Sequence, residues 1–522
     1  MRRVVAPLVN GEPVGDAAGG WYTSTNPARL SDVVADVALG DAGTLVDAFR
    51  AARAAQPAWA ATPAPVRGRV VAALGRLVES NAEALARLAM REIGKPYREA
   101  VGEVREVVDT CDFFLGEGRR LYGQTVPSEM PDKQLFTFRQ PLGVVGVVTA
   151  GNFPLAVPSW YLVPALLCGN AVVWKPAEYA AATAAAFAEI VAHSGLPSGV
   201  LAIVPAGGEA TYHGLEGALA AGLVDKVGFT GSTAVGARIG ELCGRHLQSP
   251  CLELGGKNPL VVTPSADLPL AVQGAVFSGF ATAGQRCTSL GTVIVHRSVH
   301  EPFLAGFVEA VERAAIGDPA DPGVLYGPML DERFLARMDD HLALVRDHHR
   351  PLGSTGVGRI TAGNPRAGFV GDPDAGLYCH PTIVDGVRGD DELARTETFG
   401  PIVGVARYGD LGEAIELSNC HGYGLSAAIY TGSAADAFAF RDGVRAGMVS
   451  VNNSTVGAEA HLPFGGNGRS GNGSRQSGMW VLDQFTRWQA VNWDYSGGLQ
   501  RAQLDIAEPT ADLSFRLPPS SP

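Results

Sequence analysis

One cysteine of this 522-residue chain sits in a setting suited to covalent chemistry: Cys287, in the run Gly284-Gln285-Arg286-Cys287-Thr288. A thiol that forms an acyl intermediate needs a base to activate water and a donor for the developing oxyanion. Glu253 lies 34 residues upstream, within Cys251-Leu252-Glu253-Leu254-Gly255-Gly256-Lys257. The paired glycines permit a tight backbone path that carries this carboxylate into a cleft, where it can take a proton from water attacking a thioester. A salt bridge to Lys257 or to an arginine is the other reading. Asn152, in Gly151-Asn152-Phe153-Pro154, offers a side-chain amide as oxyanion donor beside the Cys287 N–H, although an asparagine alone there commonly forms a turn. The stretch Ala281–Cys287 reads as a helix ending or turning at small residues, whose N–H groups can stabilise a thiolate and an oxyanion. Cys168 and Cys420, set among apolar or small residues, read instead as buried hydrophobes.

Three further segments supply a nucleotide grip. Lys175 and Glu178 flank Pro176, which forces extended geometry before the chain turns. Lys175 can reach ribose hydroxyls, and Glu178 can accept from the adenosine ribose. A carboxylate there repels a 2′-phosphate, favouring NAD over NADP, while a small rotation would still admit NADP. Gly231 and Ser232, in Phe229-Thr230-Gly231-Ser232-Thr233-Ala234-Val235-Gly236, follow a strand and open a helix whose N–H groups can hold a pyrophosphate. The string is not the GxGxxG fingerprint, and many like it merely cap a helix. Glu397 and Phe399, in Glu397-Thr398-Phe399-Gly400-Pro401, offer a second ribose carboxylate and an aromatic face for a nicotinamide; a surface turn with a core Phe is the alternative.

The elements that must position these groups follow from periodicity. Apolar residues at helical spacing predict helices over 45–59, 66–88 and 99–115. The β-branched run 144–148 predicts a buried strand, followed by a loop at 151–152, a helix over 157–167 and a strand at 171–174. Another helix, 180–193, and strands at 200–204 and 226–230 complete a mostly parallel α/β sheet with a ligand crevice at the carboxyl ends of its strands. A second α/β series runs from 258, with strands at 258–262, 291–296, 382–384 and 401–405 and helices at 268–280 and 302–315. The lobe boundary falls near Leu254, with a return to the first lobe around Gly447. The tail beyond Asp505, with Pro509, Pro518, Pro519 and Pro522, ends irregularly.

Composition narrows the class. At 522 residues, 46% hydrophobic and 18% charged, the chain is a packed protein of two large lobes. Its formal charge of -12 argues against a nucleic-acid partner. Seven cysteines without a CxxC point to free thiols in a reducing compartment. His348-His349 has no HExxH or compact Cys/His set beside it, so no metal is expected. The amino terminus lacks a signal-peptide core, and no apolar run is long enough for a bilayer, so a soluble cytoplasmic protein without a membrane partner is expected.

In joint order, GNFP, WKPAE, FTGSTAVG, LELGGK, GQRC, ETFGP and LPFGG resemble the aldehyde dehydrogenase superfamily from about Asn26 to Asp505. The resemblance implies an NAD-binding Rossmann-type domain (1–119, 141–253 and 447–482), an α/β catalytic domain (254–446) and a small β oligomerisation extension (120–140 and 483–505), ahead of a tail at 506–522. A homodimer or homotetramer is implied. So are Cys287 as nucleophile, Glu253 as general base, Asn152 as oxyanion donor, and Lys175, Glu178, Gly231, Ser232, Glu397 and Phe399 as cofactor-binding positions. In the implied reaction, Cys287 attacks an aldehyde, hydride leaves to the nicotinamide, and water released from its proton by Glu253 hydrolyses the thioester to a carboxylic acid. A carboxylate at 253 favours water over CoA as the acceptor.

The chain most resembles the α-aminoadipic semialdehyde dehydrogenase branch, through strings such as Val101-Gly102-Glu103-Val104-Arg105-Glu106, Val324–Pro328 and Gly457-Ala458-Glu459. There Arg286, Gly457 and Ala458 would hold a substrate carboxylate and Glu106 its amino group; Arg286 can equally be structural. Gly151 departs from the bulky aromatic common before the asparagine, which predicts a widened pocket. The loop 453–456 and the segment 461–470 also depart from the branch. A broad dehydrogenase for neutral aliphatic or aromatic aldehydes, and a non-catalytic scaffold, are the competing readings.

Overall fold

The computed structural model describes residues 3–353, 356–506 and 508–518; Pro519 and Pro522 of the expected tail lie outside them. Two seven-stranded sheets organise the chain. The first has the order Cys251–Glu253, Lys226–Thr230, Val144–Val148, Ala171–Lys175, Leu201–Ile203, Leu8–Val9, Glu12–Pro13. Its first five strands are parallel, and Leu8–Val9 and then the edge strand Glu12–Pro13 add antiparallel. Val144 to Val147 are buried, as a parallel sheet covered by helices on both faces requires. Strand order reverses between Val144–Val148 and Lys226–Thr230, so the loops leaving these two strands open onto one crevice.

The second sheet runs Arg350–Leu352, Thr382–Asp385, Ile402–Tyr408, Leu290–His296, Asn258–Val262, Ser426–Tyr430, Met448–Val451. Only Arg350–Leu352 is antiparallel. The chain passes from the first sheet to the second through Leu254–Lys257. Just past Gly447, Met448–Val451 pairs in parallel with Ser426–Ile429 and forms the edge of the second sheet. Each lobe has its own apolar core, one around Phe49, Phe114, Tyr161 and Trp174, the other around Phe280, Phe303, Phe307 and Tyr326.

The helix expected over 66–88 is two helices, Ala64–Ser80 and Ala82–Ile93. At the break, the Ser80 hydroxyl donates to the Arg76 carbonyl (2.8 Å) and the Asn81 amide to the Leu77 carbonyl (2.8 Å), satisfying groups that a helix end leaves unpaired. Lys133–Pro141 pairs antiparallel with Thr486–Asp494 along its whole length and with Thr125–Val126, giving a separate three-stranded sheet. Phe138, Trp488 and Trp493 are exposed on it. No helix among the described residues is long and apolar enough to cross a membrane.

Candidate active site

The loop that carries Cys287 leaves the helix Leu268–Phe280 through a short turn in which Thr282 (φ 54°), Ala283 (φ 54°) and Gly284 (φ 68°) are all left-handed. The turn is sharper than a simple helix end and delivers Cys287 to a cavity of about 570 Å³ at the crevice of the first sheet. The Cys287 carbonyl is pinned from below: the Asn258 amide donates to it at 2.8 Å and to the Ser289 carbonyl at 2.7 Å. Burial, and then the carboxyls of Glu253 and Glu397, push the thiol up, so it rests protonated. Asn152 is buried, and its amide nitrogen donates to the Gln285 carbonyl at 2.9 Å. That bond uses one of the two amide hydrogens and fixes the group beside the cysteine.

Glu253 ends the strand Cys251–Glu253, with its carboxyl buried. Turned so that its oxygen accepts the Tyr161 hydroxyl, the Gln476 amide donates to Glu253 Oε2 at 3.0 Å, whereas Oε1 has no partner. Burial drives this carboxyl well above the usual range, against the pull of Arg475. It does not pair with Lys257, whose buried Nζ also lacks a partner and whose pKa burial lowers to about 8. The alternative reading of Glu253 as a Lys257 salt bridge is therefore not realised. One oxygen of this carboxyl is unpaired, and only the ionised form of the group could act as a base.

Lys175, Glu178, Gly231, Ser232, Glu397 and Phe399 all line the same cavity as Asn152 and Cys287. Ser232 caps the helix Thr233–Arg245 by accepting from the Val235 N–H at 3.4 Å, so this helix begins at the cavity wall that Gly231, Ser232 and Val235 line. Glu397 is cradled by the paired glycines. The Gly256 N–H donates to its Oε1 at 3.0 Å, and a Cβ on Gly255 would stand 2.0 Å from its Oε2. Burial raises this carboxyl to about 7. Glu178 is less free than its position suggested: Lys175 Nζ lies 3.6 Å from Oε2, and Arg333 donates to Oε1 at 2.9 Å. Burial raises the Glu178 carboxyl, but the two cations prevail and hold it below its ordinary value. A helix N-terminus, two carboxylates, a lysine and an aromatic face in one cleft fit a nicotinamide dinucleotide.

Glu106, Arg286, Gly457 and Ala458 do not line this cavity. Glu106 Oε1 is buried without a partner, and burial, with the charge of Glu103, lifts the carboxyl to about 8. Arg286 forms an ion pair with Glu99 at 2.5 Å and stacks over Phe153 and Phe277, each 5.4 Å away. Phe153 and Ala458 pack against the same core as Cys287, whereas Gly457 is exposed. The expected widening at Gly151 is not found. A Cβ there would lie 2.5 Å from the Tyr179 ring and 2.9 Å from Ala180, so Tyr179 fills the space an aromatic side chain would take.

Sequence reasoning missed Arg333, Gln476, Asn258 and Glu99 as partners of the site, since each acts across a chain separation that no local motif spans. It also saw no cluster around His348-His349, yet the fold brings Asp391 to both, with ligand-type atoms within 4.8 Å of one another. The Arg346 N–H donates to His349 Nδ1 at 2.9 Å, which places that ring's proton on Nε2, toward Asp391 at 2.8 Å. The cluster is accounted for by hydrogen bonding.

With fold and geometry in place, the class is clear: residues 15–491 match the aldehyde dehydrogenase family, and the chain belongs to it. Its relatives include an α-ketoglutaric semialdehyde dehydrogenase of Bacillus subtilis (strain 168), 34% identical over 93% of this chain and 97% of that protein. An α-aminoadipic semialdehyde dehydrogenase of Bos taurus is 33% identical over 93% of this chain and 88% of its own length. The crystal structure of a putative aldehyde dehydrogenase from Burkholderia cenocepacia superposes with a TM-score of 0.89 at 32% identity, covering 95% of this chain and 99% of that one. The protein is thus an oxidoreductase of the aldehyde dehydrogenase family, similar to several semialdehyde dehydrogenases.

Proposed function

We propose that the protein oxidises a carboxylate-bearing semialdehyde to the acid with NAD, through a thiohemiacetal and a thioester on Cys287. The observation that carries the reading is the convergence of Cys287 and Asn152 on the cavity that holds Lys175, Ser232 and Glu397. Attack by the Cys287 sulfur on the aldehyde carbon would place the new oxyanion between the free Asn152 N–H and the Cys287 N–H. When bound, the nicotinamide supplies the hydride acceptor and a positive charge that favours the thiolate. Glu253, with its vacant Oε1, would then take a proton from the water that hydrolyses the thioester, which makes the enzyme non-acylating. NAD is favoured over NADP because the Glu178 carboxylate remains ionised near the adenosine ribose position. The paired strands 133–141 and 486–494, with their exposed aromatic residues, would join subunits in a dimer or tetramer.

On the substrate side, the buried Glu106 carboxyl with its unpaired oxygen suits a substrate ammonium, whose arrival would compensate its ionisation. Arg286 retains Nη1, which makes no hydrogen bond among the described residues; this N–H, with the backbone at Gly457 and Ala458, would receive the carboxylate, as α-aminoadipic semialdehyde requires. Neutralisation of Arg286 by Glu99 favours the second reading, a dehydrogenase for neutral aldehydes. The test is steady-state turnover with NAD and NADP on an amino-acid semialdehyde, an oxo-acid semialdehyde and a neutral aldehyde of equal length. The proposal expects kcat/KM for the acidic substrates to exceed that of the neutral one by at least tenfold. Equal values refute the substrate assignment, and loss of the effect in Arg286→Ala for acidic substrates alone supports the carboxylate contact.

A further inference from the structure

The left-handed turn Thr282–Gly284 places two non-glycine residues in succession where L-residues pay a steric penalty. Such a conformation persists only if its surroundings over-determine it, and the restraint here comes from the other lobe. Glu99, on the helix Tyr97–Arg120, accepts the Thr282 N–H at 3.2 Å on Oε1. Its Oε2 accepts both the Thr282 hydroxyl and Arg286 Nη2, the latter at 2.5 Å. Arg286 Nε donates to the Thr282 hydroxyl oxygen at 3.1 Å, closing a ring of three side chains around the turn. Both ionic partners are largely shielded, with 15% and 13% of their side chains exposed.

What the reaction needs from this loop follows Thr282 and is held by this ring. The Gln285 N–H donates to the Thr282 carbonyl (3.0 Å), and its side-chain Oε1 accepts the Leu330 N–H (3.0 Å). The Gln285 carbonyl is in turn the acceptor that fixes Asn152. Gly284 packs so closely that a Cβ would fall 2.3 Å from the Gly400 carbonyl oxygen, beside the Glu397–Phe399 segment. The turn therefore sets the nucleophile and the oxyanion donor together. We infer that Glu99 is a positioning residue for the reaction: with Thr282 and Arg286 it holds the strained turn that aims Cys287 and Asn152 at the same carbon. The inference rests on Cys287 being the nucleophile, but not on which aldehyde is oxidised.

The experiment compares Glu99→Ala, Glu99→Gln and Thr282→Val with the parent enzyme. It measures kcat on a charged and a neutral aldehyde, the dissociation constant of NADH, the rate of Cys287 alkylation by iodoacetamide, and the thermal midpoint. Displacing reacting groups by about 1 Å costs roughly 10²-fold. Glu99→Ala is expected to lower kcat by about that factor on both aldehydes and to change the alkylation rate, with the NADH constant within about twofold. Glu99→Gln should recover part of kcat, because its amide oxygen still accepts the Thr282 N–H, and Thr282→Val should fall between the two. A kcat within twofold of the parent in Glu99→Ala and Thr282→Val overturns the inference. So does a loss confined to the charged aldehyde, or one that merely parallels a fall in folded protein; if Glu99→Ala does not fold, Thr282→Val decides alone. Cys287→Ser that retains turnover would instead sink the parent reading, whatever Glu99 does.

Discussion

Adding one methyl group at either of two adjacent glycines should damage two different halves of the reaction. At Gly255 a Cβ would meet Glu397 Oε2 at 2.0 Å and Oε1 at 2.6 Å, both at the tip of a flexible side chain. The carboxylate can swing away, but it then forfeits the Gly256 N–H bond of 3.0 Å. A hydrogen bond to a charged group contributes about 1.5–3 kcal/mol, or roughly 10–150-fold in a constant that depends on it. At Gly256 a Cβ would meet the Cys287 carbonyl oxygen at 2.3 Å, about 1 Å inside the ordinary contact of 3.4 Å. That neighbour is backbone, held by Asn258, and cannot step aside without moving the sulfur. A displacement of about 1 Å costs roughly 10²-fold in rate. The assay is NADH binding by fluorescence at pH 8, where Glu397, raised to about 7, is ionised, together with the single-turnover burst of reduced cofactor at saturating NAD. Gly255→Ala is expected to weaken cofactor binding about 10–100-fold and to spare most of the burst rate. Gly256→Ala should do the reverse, slowing the burst about 10²-fold. If the two variants fail in the same readout by the same factor, or if Gly255→Ala binds NADH within twofold of the parent, the glycine pair does not divide the cofactor and nucleophile sides as argued.

Three other outcomes follow from the same geometry. Asn152→Ala should lower kcat by about 10²–10³-fold on every aldehyde, as loss of one oxyanion donor does, and a fall seen only in KM would remove Asn152 from that role. Glu253→Gln should retain the burst of reduced cofactor but lose steady-state turnover. In the parent, turnover should climb as pH rises through the elevated Glu253 pKa, since only the anion can accept a proton from water, and a flat profile would count against it. Glu106 keeps its proton up to about pH 8 in the folded protein against an ordinary value of 4.5. The folded state therefore holds a proton that the unfolded chain releases, and this group's contribution to stability, complete below 4.5, is lost as pH rises toward 8. Glu106→Gln should gain thermal midpoint on the parent between pH 5 and pH 8, and an unchanged difference across that range would refute the burial of this carboxyl.

How far the sequence could be read depended on whether a feature is local. The strand 144–148 stood out because a parallel strand covered on both faces is a continuous apolar run, and 226–230 and 258–262 carry shorter apolar centres of the same kind. The break at Asn81 did not, because Ser and Asn side chains end a helix through hydrogen bonds that periodicity does not register. Within the site, Cys287, Glu253 and Asn152 could be named from residue type and glycine context, and the fold gathers Cys287 and Asn152 on one cavity. What controls their protonation and aim could not. Gln476 reaches Glu253, Arg333 reaches Glu178 over 155 residues of chain, and Glu99 reaches Arg286 over 187.

The same distinction separates the two roles open to Arg286. Its place beside the cysteine suggested a cation awaiting a substrate carboxylate, and residue type alone cannot tell a waiting charge from one already paired. The structure pairs it with Glu99 and with the hydroxyl of Thr282, and that second bond weighs in the choice. A guanidinium kept only for substrate would gain nothing from a residue locked in a left-handed turn, whereas a restraint on that turn requires it. The Nη1 edge left over is compatible with a substrate contact, but any carboxylate it binds would lie within reach of the Glu99 charge. On the proposed reading, Glu106 would select for a substrate ammonium, and recognition of the carboxylate would draw on the backbone at Gly457 and Ala458 as much as on Arg286. On this argument Arg286→Ala should slow neutral aldehydes as well, and the share of the loss common to all substrates measures the clamp.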